Sequence, residues 1–144
     1  MHVHRRFENP PALPHPVVLE AVERAIADPS AESAAASALV GIALNDDDWE
    51  FIERCCLEVG TRAKAGSQLL GLAGLCLGHA ARRFGHISDR AVALAESLAA
   101  RAQANPSDVD GRALDGLDDI RSFLRRDEGA QPGPGDAGPD ADPE

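Results

Sequence analysis

Three polar side chains close together near the middle of the chain are the first candidates for chemistry. His79, Arg82 and Arg83 end a hydrophobic segment. A helix would place His79 and Arg83 on one face, four residues apart, with Arg82 on the adjoining face. Histidine can transfer protons near neutral pH, and guanidinium groups bind anions. Cys76 lies three residues before His79 but is predicted to be a packed core residue. The sequence shows no complete catalytic triad and no full set of metal ligands around these residues, so we expect no catalytic residue and no enzyme.

The same three residues also have a structural interpretation. Asp118 and Asp119 follow in a later helical segment, where their carboxylates could pair with the two guanidinium groups. We therefore predict a structural lock between two neighbouring helices, formed by His79, Arg82, Arg83 and Asp119. The alternative is a small-ligand-binding or enzymatic role for the segment from His79 to Arg83.

Acidic residues form two further groups, each at or near a predicted helix start. Acids there are stabilised by the helix dipole, which accounts for them without any function. The alternative is an acidic patch that meets a basic protein and steers its association. The Asp108-Val-Asp110-Gly111 stretch lacks the twelve-residue calcium pattern, so calcium binding is rejected. The predicted partner-binding residues are Asp46, Asp47, Asp48, Glu50, Asp108, Asp110, Asp115 and Asp118.

The three cysteines do not have the spacing of a metal site or a redox motif. Cys55 and Cys56 are adjacent and point about 100° apart on a helix, and Cys76 lies in the next helix. No C-x-x-C pair is present, and the C-x-x-H pair of Cys76 and His79 has no second ligand pair at a suitable spacing to complete a metal site. We predict that all three are reduced and packed in the core, and we expect no metal and no cofactor. Trp49, the single tryptophan, is predicted to belong to a core stripe or, if exposed, to anchor an interface.

Composition indicates one all-α domain. Ala and Leu carry most of the apolar content, while strand-favouring residues are sparse among the 144 residues. The net charge is −10, and the part of the chain from Glu128 onward holds five acids without a Lys or Arg. Because phosphate backbones demand Lys and Arg, this balance argues against nucleic-acid binding. It fits a soluble protein or a basic partner.

Hydrophobic periodicity and breaker residues divide the chain into three parts. Residues 1–15 are Pro-rich and irregular, residues 16–127 form the helical domain, and residues 128–144 form an acidic tail that we expect to be disordered. A secretory signal peptide is missing, and the apolar run 69–77 is too short to cross a bilayer, so we expect a cytoplasmic protein without membrane contact. Six helices are predicted, at about 17–27, 31–44, 47–59, 67–84, 88–104 and 108–126.

The spacing of these helices indicates a repeat. The third starts near Asp46 and the fifth near Ser88, 42 residues later; the fourth starts near Ser67 and the sixth near Asp108, 41 residues later. A helical hairpin of about 40 to 47 residues is the HEAT or armadillo period. We therefore predict three stacked antiparallel hairpins, an α-solenoid, in preference to a closed bundle.

Three stretches carry a family resemblance. They are Trp49-Glu-Phe-Ile-Glu-Arg-Cys-Cys56, Gly78-His-Ala-Ala-Arg82, and Ala113-Leu-Asp-Gly-Leu-Asp-Asp-Ile120 followed by Phe123. Over about residues 46–123 the chain resembles small bacterial HEAT-like helical proteins, some of which are immunity proteins of contact-dependent or polymorphic toxin systems.

This resemblance implies a binding protein. An immunity protein occludes a toxin's active site or holds the toxin inactive. If the toxin were a basic nuclease domain, an acidic surface would be the complementary one. The resemblance thus favours a protein partner contacted through the acids of the third and sixth helices. A general helical-repeat scaffold is the other non-enzymatic alternative.

Overall fold

A computed structural model describes the backbone of residues 10–130 and the side chains of residues 10–125. Within this range the chain is all helical and has no strand, which confirms the all-α prediction. The predicted disordered tail lies outside the described residues, except for its first three positions, which are helical. The helices are α1 His15–Ala27, α2 Glu32–Asn45, α3 Trp49–Arg62, α4 Gln68–Phe84, α5 Asp89–Ala104 and α6 Arg112–Ala130, with a short 3₁₀ turn at Pro29–Ala31.

The helices pack in two layers. Helix α4 lies between α2 and α6, and α3 lies between α1 and α5, while α4 also packs against α3 and α5. Neighbours within a layer run parallel. Gly71 and Gly78 of α4 meet Asp110 and Asp119 in the same order along α6, and contacts between α2 and α4 keep the same direction.

This arrangement gives the molecule two distinct ends. At one end, which we call the Arg83 end, α2, α4 and α6 finish while α1, α3 and α5 begin. At the opposite end, which we call the Ser67 end, α4 and α6 begin and α3 and α5 finish. Any two residues near opposite ends are separated by the length of α4.

Local sequence explains most helix boundaries. Ser67, Ser88 and Asp48 cap α4, α5 and α3 by accepting backbone N–H bonds through their side chains. Gly85 ends α4 with φ of 64°, as expected from a C-terminal glycine. The predicted end of the third helix near residue 59 is wrong, because α3 continues to Arg62. At Gly60, within α3, the Leu94 side chain of α5 packs over the position that a Cβ would take.

The first helix begins before its predicted start. It starts at His15, with Pro14 as N-cap and Pro16 in its first turn, where a missing N–H costs nothing. Residues 10–14 lie along α2, since Asn45 donates a side-chain hydrogen bond of 2.7 Å to the carbonyl oxygen of Pro10. The Pro11 carbonyl occupies the space beside Gly41. This part of the predicted irregular segment is therefore packed against the helices.

The core is centred on α4, most of whose residues are buried. Its small residues allow α6 to approach closely: a Cβ on Gly74 would lie 3.1 Å from the Cα of Ala113, and one on Gly78 would lie 3.1 Å from the Cα of Gly116. Such contacts bring two backbones together along the whole shared length. No helix in the described range is both long enough and apolar enough to cross a membrane.

The cysteine thiols are expected to be unreactive in the folded protein. Cys55, Cys56 and Cys76 are all free and buried, which confirms their predicted packing. Burial raises the pKa of Cys55 to about 12. A hydrogen bond with Cys76, together with burial, raises the pKa of Cys56. Since the thiolate is the reactive species, titration with an aromatic disulfide at pH 8 should detect no thiol in the native state and three in urea. Rapid labelling without urea would contradict this packing.

Candidate functional site

The predicted lock is present for one of its arginines. Arg82 on α4 lies 3.5 Å from the Asp119 carboxylate on α6, joining two helices of the same layer. Both side chains are partly solvent-exposed, and an exposed pair of this kind stabilises a protein by less than about 1 kcal/mol. The pair therefore contributes to the register of α4 and α6 without dominating it.

Arg83 has a different partner from the predicted one. Its guanidinium group donates a hydrogen bond of 2.7 Å to the carbonyl oxygen of Ala43, in the last turn of α2. It lies 3.8 Å from Asp47 and stacks over the Phe84 ring at 4.6 Å. A cation at a helix C-terminus satisfies free carbonyls and complements the dipole. Arg83 thus links α4 to α2, on the side away from α6.

His79 does not join the lock. Its side chain is half-buried on α4, and it makes no hydrogen bond to any residue that the structure describes. Asp118 is exposed on α6, one position from the residue that Arg82 contacts. The predicted four-residue cluster is therefore a single ion pair, with His79 beside it and Arg83 engaged elsewhere.

Two acids at the Arg83 end are held by internal hydrogen bonds. Asp46 accepts from His15 Nε2 at 2.9 Å and from the backbone N–H of Asp48 at 2.8 Å. The His15 ring stacks on Phe51, with ring centroids 3.6 Å apart. Asp48 caps α3 by accepting from the Phe51 N–H at 3.1 Å. Their geometry gives both carboxylates a structural role in the turn between α2 and α3.

Two acids at the Ser67 end are likewise engaged. Asp108 receives two hydrogen bonds from Arg101, of 2.9 and 2.7 Å. Asp110 receives 3.0 and 2.9 Å bonds from the Arg112 guanidinium group, which also donates to the Gln68 carbonyl oxygen at 3.0 Å. These bidentate pairs fix the turn before α6. They also explain why α6 begins at Arg112, later than predicted.

These two pairs predict a specific acid sensitivity. Hydrogen bonds from Arg101 lower the pKa of Asp108, and hydrogen bonds from Arg112 lower that of Asp110. A lowered folded-state pKa stabilises the fold above the unfolded value of about 3.9. That stabilisation is lost as the pH falls through the folded value. In urea titrations, Asp108→Asn should be less stable than the wild type at pH 7, and the difference should shrink at acid pH.

A matched exposed acid serves as the control for this measurement. Asp115 is exposed and forms no ion pair with a described residue, so the stability difference between Asp115→Asn and the wild type should be small and nearly independent of pH. If the stability difference between Asp108→Asn and the wild type stayed constant down to acid pH, this result would contradict the assignment of the stabilisation to the ion pair.

The eight predicted partner-binding acids do not form one cluster. Four belong to the Arg83 end and two to the Ser67 end, separated along the 17 residues of α4, or about 25 Å. Asp115 and Asp118 lie between them, exposed on α6. Asp47, Asp48 and Glu50 are the exposed members at the Arg83 end, and of these Asp48 is occupied as the cap of α3. The exposed acids that do not cap a helix are therefore Asp47, Glu50, Asp115 and Asp118.

Glu53, which is not among the eight predicted partner-binding acids, is the one buried charged residue within the described range. Only 6% of its surface is exposed. Its carboxylate accepts hydrogen bonds of 2.9 Å from the Ser88 N–H and 2.6 Å from the Ser88 hydroxyl. Ser88 caps α5 at the same time. Glu53 thus fastens the start of α5 to α3.

An equivalent contact joins α2 and α4. Ser67, the N-cap of α4, donates a hydrogen bond of 2.7 Å to the Glu32 carboxylate. The sequence separation of Glu32 and Ser67 is 35 residues, as it is for Glu53 and Ser88. This shared spacing of a glutamate and a capping serine is the sequence signal that could have identified Glu53.

Trp49 is half-buried and does not belong to the hydrophobic core, so its predicted place in the core stripe is wrong. Its ring meets the edge of His86, with centroids 4.3 Å apart. It borders a shallow cleft of about 280 Å³ between α3 and α5, lined by Trp49, Glu50, Glu53, Arg54, Leu57, Ser88 and Arg90. Among the described side chains of residues 10–125, no three or more His, Cys, Asp or Glu are arranged to hold a metal ion.

Comparison of the chain with protein-family models, with curated proteins and with solved structures finds no match.

Proposed function

We propose that this chain is a non-enzymatic protein-binding module built as three stacked helical hairpins. The parallel order of helices within each layer supports this architecture, as does the repeated 35-residue spacing of Glu32 with Ser67 and Glu53 with Ser88. In a HEAT-like solenoid, corresponding helices of successive hairpins lie side by side. The hairpins are then α1–α2, α3–α4 and α5–α6.

The proposed partner is a basic protein domain, and the proposed role is that of a cytoplasmic immunity protein that neutralises a toxin by binding it. The observation that carries this proposal is the exposure of Asp115 and Asp118 on α6, where neither forms an ion pair with a described residue. Asp47 and Glu50 supply further charge at the Arg83 end. The net charge of −10 favours approach of a basic partner over long distance.

Asp108 and Asp110 have a secondary place in this proposal, because their charges are compensated by Arg101 and Arg112. Asp46 and Asp48 are similarly occupied within the turn that they stabilise. The contact surface that we propose therefore contains fewer acids than the eight predicted from the sequence, and it is centred on α6.

Co-expression tests the immunity role. The immunity role requires a toxin domain encoded beside this chain in its source genome. That domain is expressed with and without the chain, and we expect growth only when the chain is present. Asp115→Asn/Asp118→Asn should weaken that rescue and reduce the salt-dependent affinity. The control Glu20→Gln/Glu96→Gln removes two exposed charges elsewhere and should leave rescue intact. Toxicity undiminished by the wild-type chain would refute the role.

The two alternatives make different predictions. A general scaffold would capture a protein partner at low salt from cells that encode no neighbouring toxin. A ligand-binding or enzymatic role for the segment from His79 to Arg83 is favoured only by the half-buried, uncommitted ring of His79. In that case His79→Ala would abolish ligand binding while leaving the free energy of unfolding unchanged.

A further inference from the structure

The cleft beside Trp49 is lined by two arginines that form no ion pair with a described carboxylate. Arg54 comes from α3 and Arg90 from the first turn of α5, and neither lies within 4 Å of a carboxylate in the described range. Six other arginines each have such a partner, namely Arg24, Arg62, Arg82, Arg83, Arg101 and Arg112. Arg121 and Arg125 on α6 also have none in the described range, but only Arg54 and Arg90 line the cleft beside Trp49. In a chain with a net charge of −10, a cleft lined by two such arginines is suited to a carboxylate from outside the described residues.

The two glutamates in the cleft do not fill this role. The charge of Glu53 is buried and directed at the N–H and hydroxyl of Ser88. Glu50 lies exposed at the rim, farther than 4 Å from either guanidinium group. Trp49 and Leu57 provide an apolar wall next to the arginines. The cleft therefore suits a carboxylate carried on a short, small-residue peptide.

This chain has such a peptide at the appropriate end. Helix α6 is described as far as Ala130, and it runs parallel to α4 toward the Arg83 end, where α3 and α5 begin. The following residues, 131–144, hold four acids and no Lys or Arg. Fourteen extended residues span up to about 45 Å, whereas neighbouring helices are about 10 Å apart. The segment can therefore reach the cleft.

We propose that the acidic segment 131–144 binds in the cleft of its own chain, with its carboxylates against Arg54 and Arg90. The contact covers one face of Trp49. It is an ion-pair interaction at an exposed site, so salt weakens it. This inference is independent of the proposed immunity role, because it concerns a cleft between α3 and α5 and not the acids of α6.

Trp49 is the only tryptophan, so its fluorescence reports directly on the cleft. The experiment measures acrylamide quenching of the full-length protein. Neutralising the segment with Asp136→Asn/Asp140→Asn/Asp142→Asn should raise the quenching constant about twofold, and adding 0.5 M NaCl to the wild type should do the same by screening the ion pairs. Arg121→Ala, which removes an exposed arginine of α6 without a described carboxylate partner, is the control and should change nothing.

Combining variants separates docking from a local effect on the tryptophan. Arg54→Ala/Arg90→Ala should raise quenching, and the segment substitutions should add nothing further in that background. Unchanged quenching in the segment variant overturns the proposal. Additive effects overturn it as well, because they would mean that the arginines and the acids act separately. A wild-type quenching constant that depends on protein concentration would assign the cleft to the segment of a second copy.

Discussion

Replacing Gly116 with alanine should destabilise the protein by about 3 kcal/mol and lower its Tm by roughly 10 °C. A Cβ at this position on α6 would lie 2.5 Å from the carbonyl carbon of Gly74 and 2.8 Å from the backbone nitrogen of Leu75 on α4. These are backbone atoms, which cannot rotate away as a flexible side chain can. The two helices would have to separate, with loss of packing along the whole of α4.

The sign of this effect distinguishes packing from helix propensity. Alanine is a better helix former than glycine by about 1 kcal/mol, so a helix without neighbours would become more stable. Gly111, just before α6, is the matched control, because a Cβ there meets nothing within 4 Å. Gly111→Ala should change stability by less than about 0.5 kcal/mol. Urea denaturation of both variants measures the difference, and equal stabilities would mean that α4 and α6 are farther apart.

The close approach of α4 and α6 marks the limit of what the sequence could predict. An apolar segment rich in Gly, Ala and Leu predicts a buried central helix, and α4 is buried. However, the partner of Gly74 could not be found from periodicity, because it requires Gly116 to lie opposite it in a helix some forty residues later. Helix existence depends on local pattern, whereas backbone contact depends on the register of two distant segments.

The sequence likewise predicted only part of the candidate site. The local pattern predicted that the fourth helix ends at residue 84 and that the fifth starts near Ser88, as observed. The partner of Arg83 was predicted among acids of α6, yet this residue reaches the carbonyl of Ala43 on the opposite neighbour. A long arginine near a helix end can turn to either side. Charge complementarity alone gives no means of choosing between a carboxylate and a row of free backbone carbonyls.

The acids show a second physical reason why the sequence could not predict the candidate site in full. Asp108 and Asp115 look alike in sequence, since both are close to the start of α6. The Asp108 carboxylate accepts two hydrogen bonds from Arg101, while Asp115 is exposed and forms no ion pair in the described range. Arg101 lies only seven residues before Asp108, but α5 must end between them before the pair can form. Net charge therefore overestimates how many acids are available to a partner.

Glu53→Ala should destabilise the protein by about 3 kcal/mol. In the wild type, the N–H and the hydroxyl of Ser88 each donate to one oxygen of the Glu53 carboxylate. The substitution removes this acceptor from both donors. Unsatisfied donors at a buried site lose the solvation that they would have in water. Hydrogen bonds to a charged group also stabilise more than neutral ones. The start of α5 should loosen first, which hydrogen exchange of the Ala91 and Val92 amides would detect.

Glu32→Ala provides the matched control, because Glu32 accepts from a capping serine over the same 35-residue separation. Glu32 makes one side-chain hydrogen bond, to Ser67, and is half-buried, so its loss should cost about 1 kcal/mol. A double-mutant cycle with Ser88→Ala isolates the interaction itself and should give a coupling energy of about 1.5 kcal/mol or more. If Glu53→Ala costs no more than Glu32→Ala and the cycle shows no coupling, the Glu53 carboxylate does not hold α5 against α3.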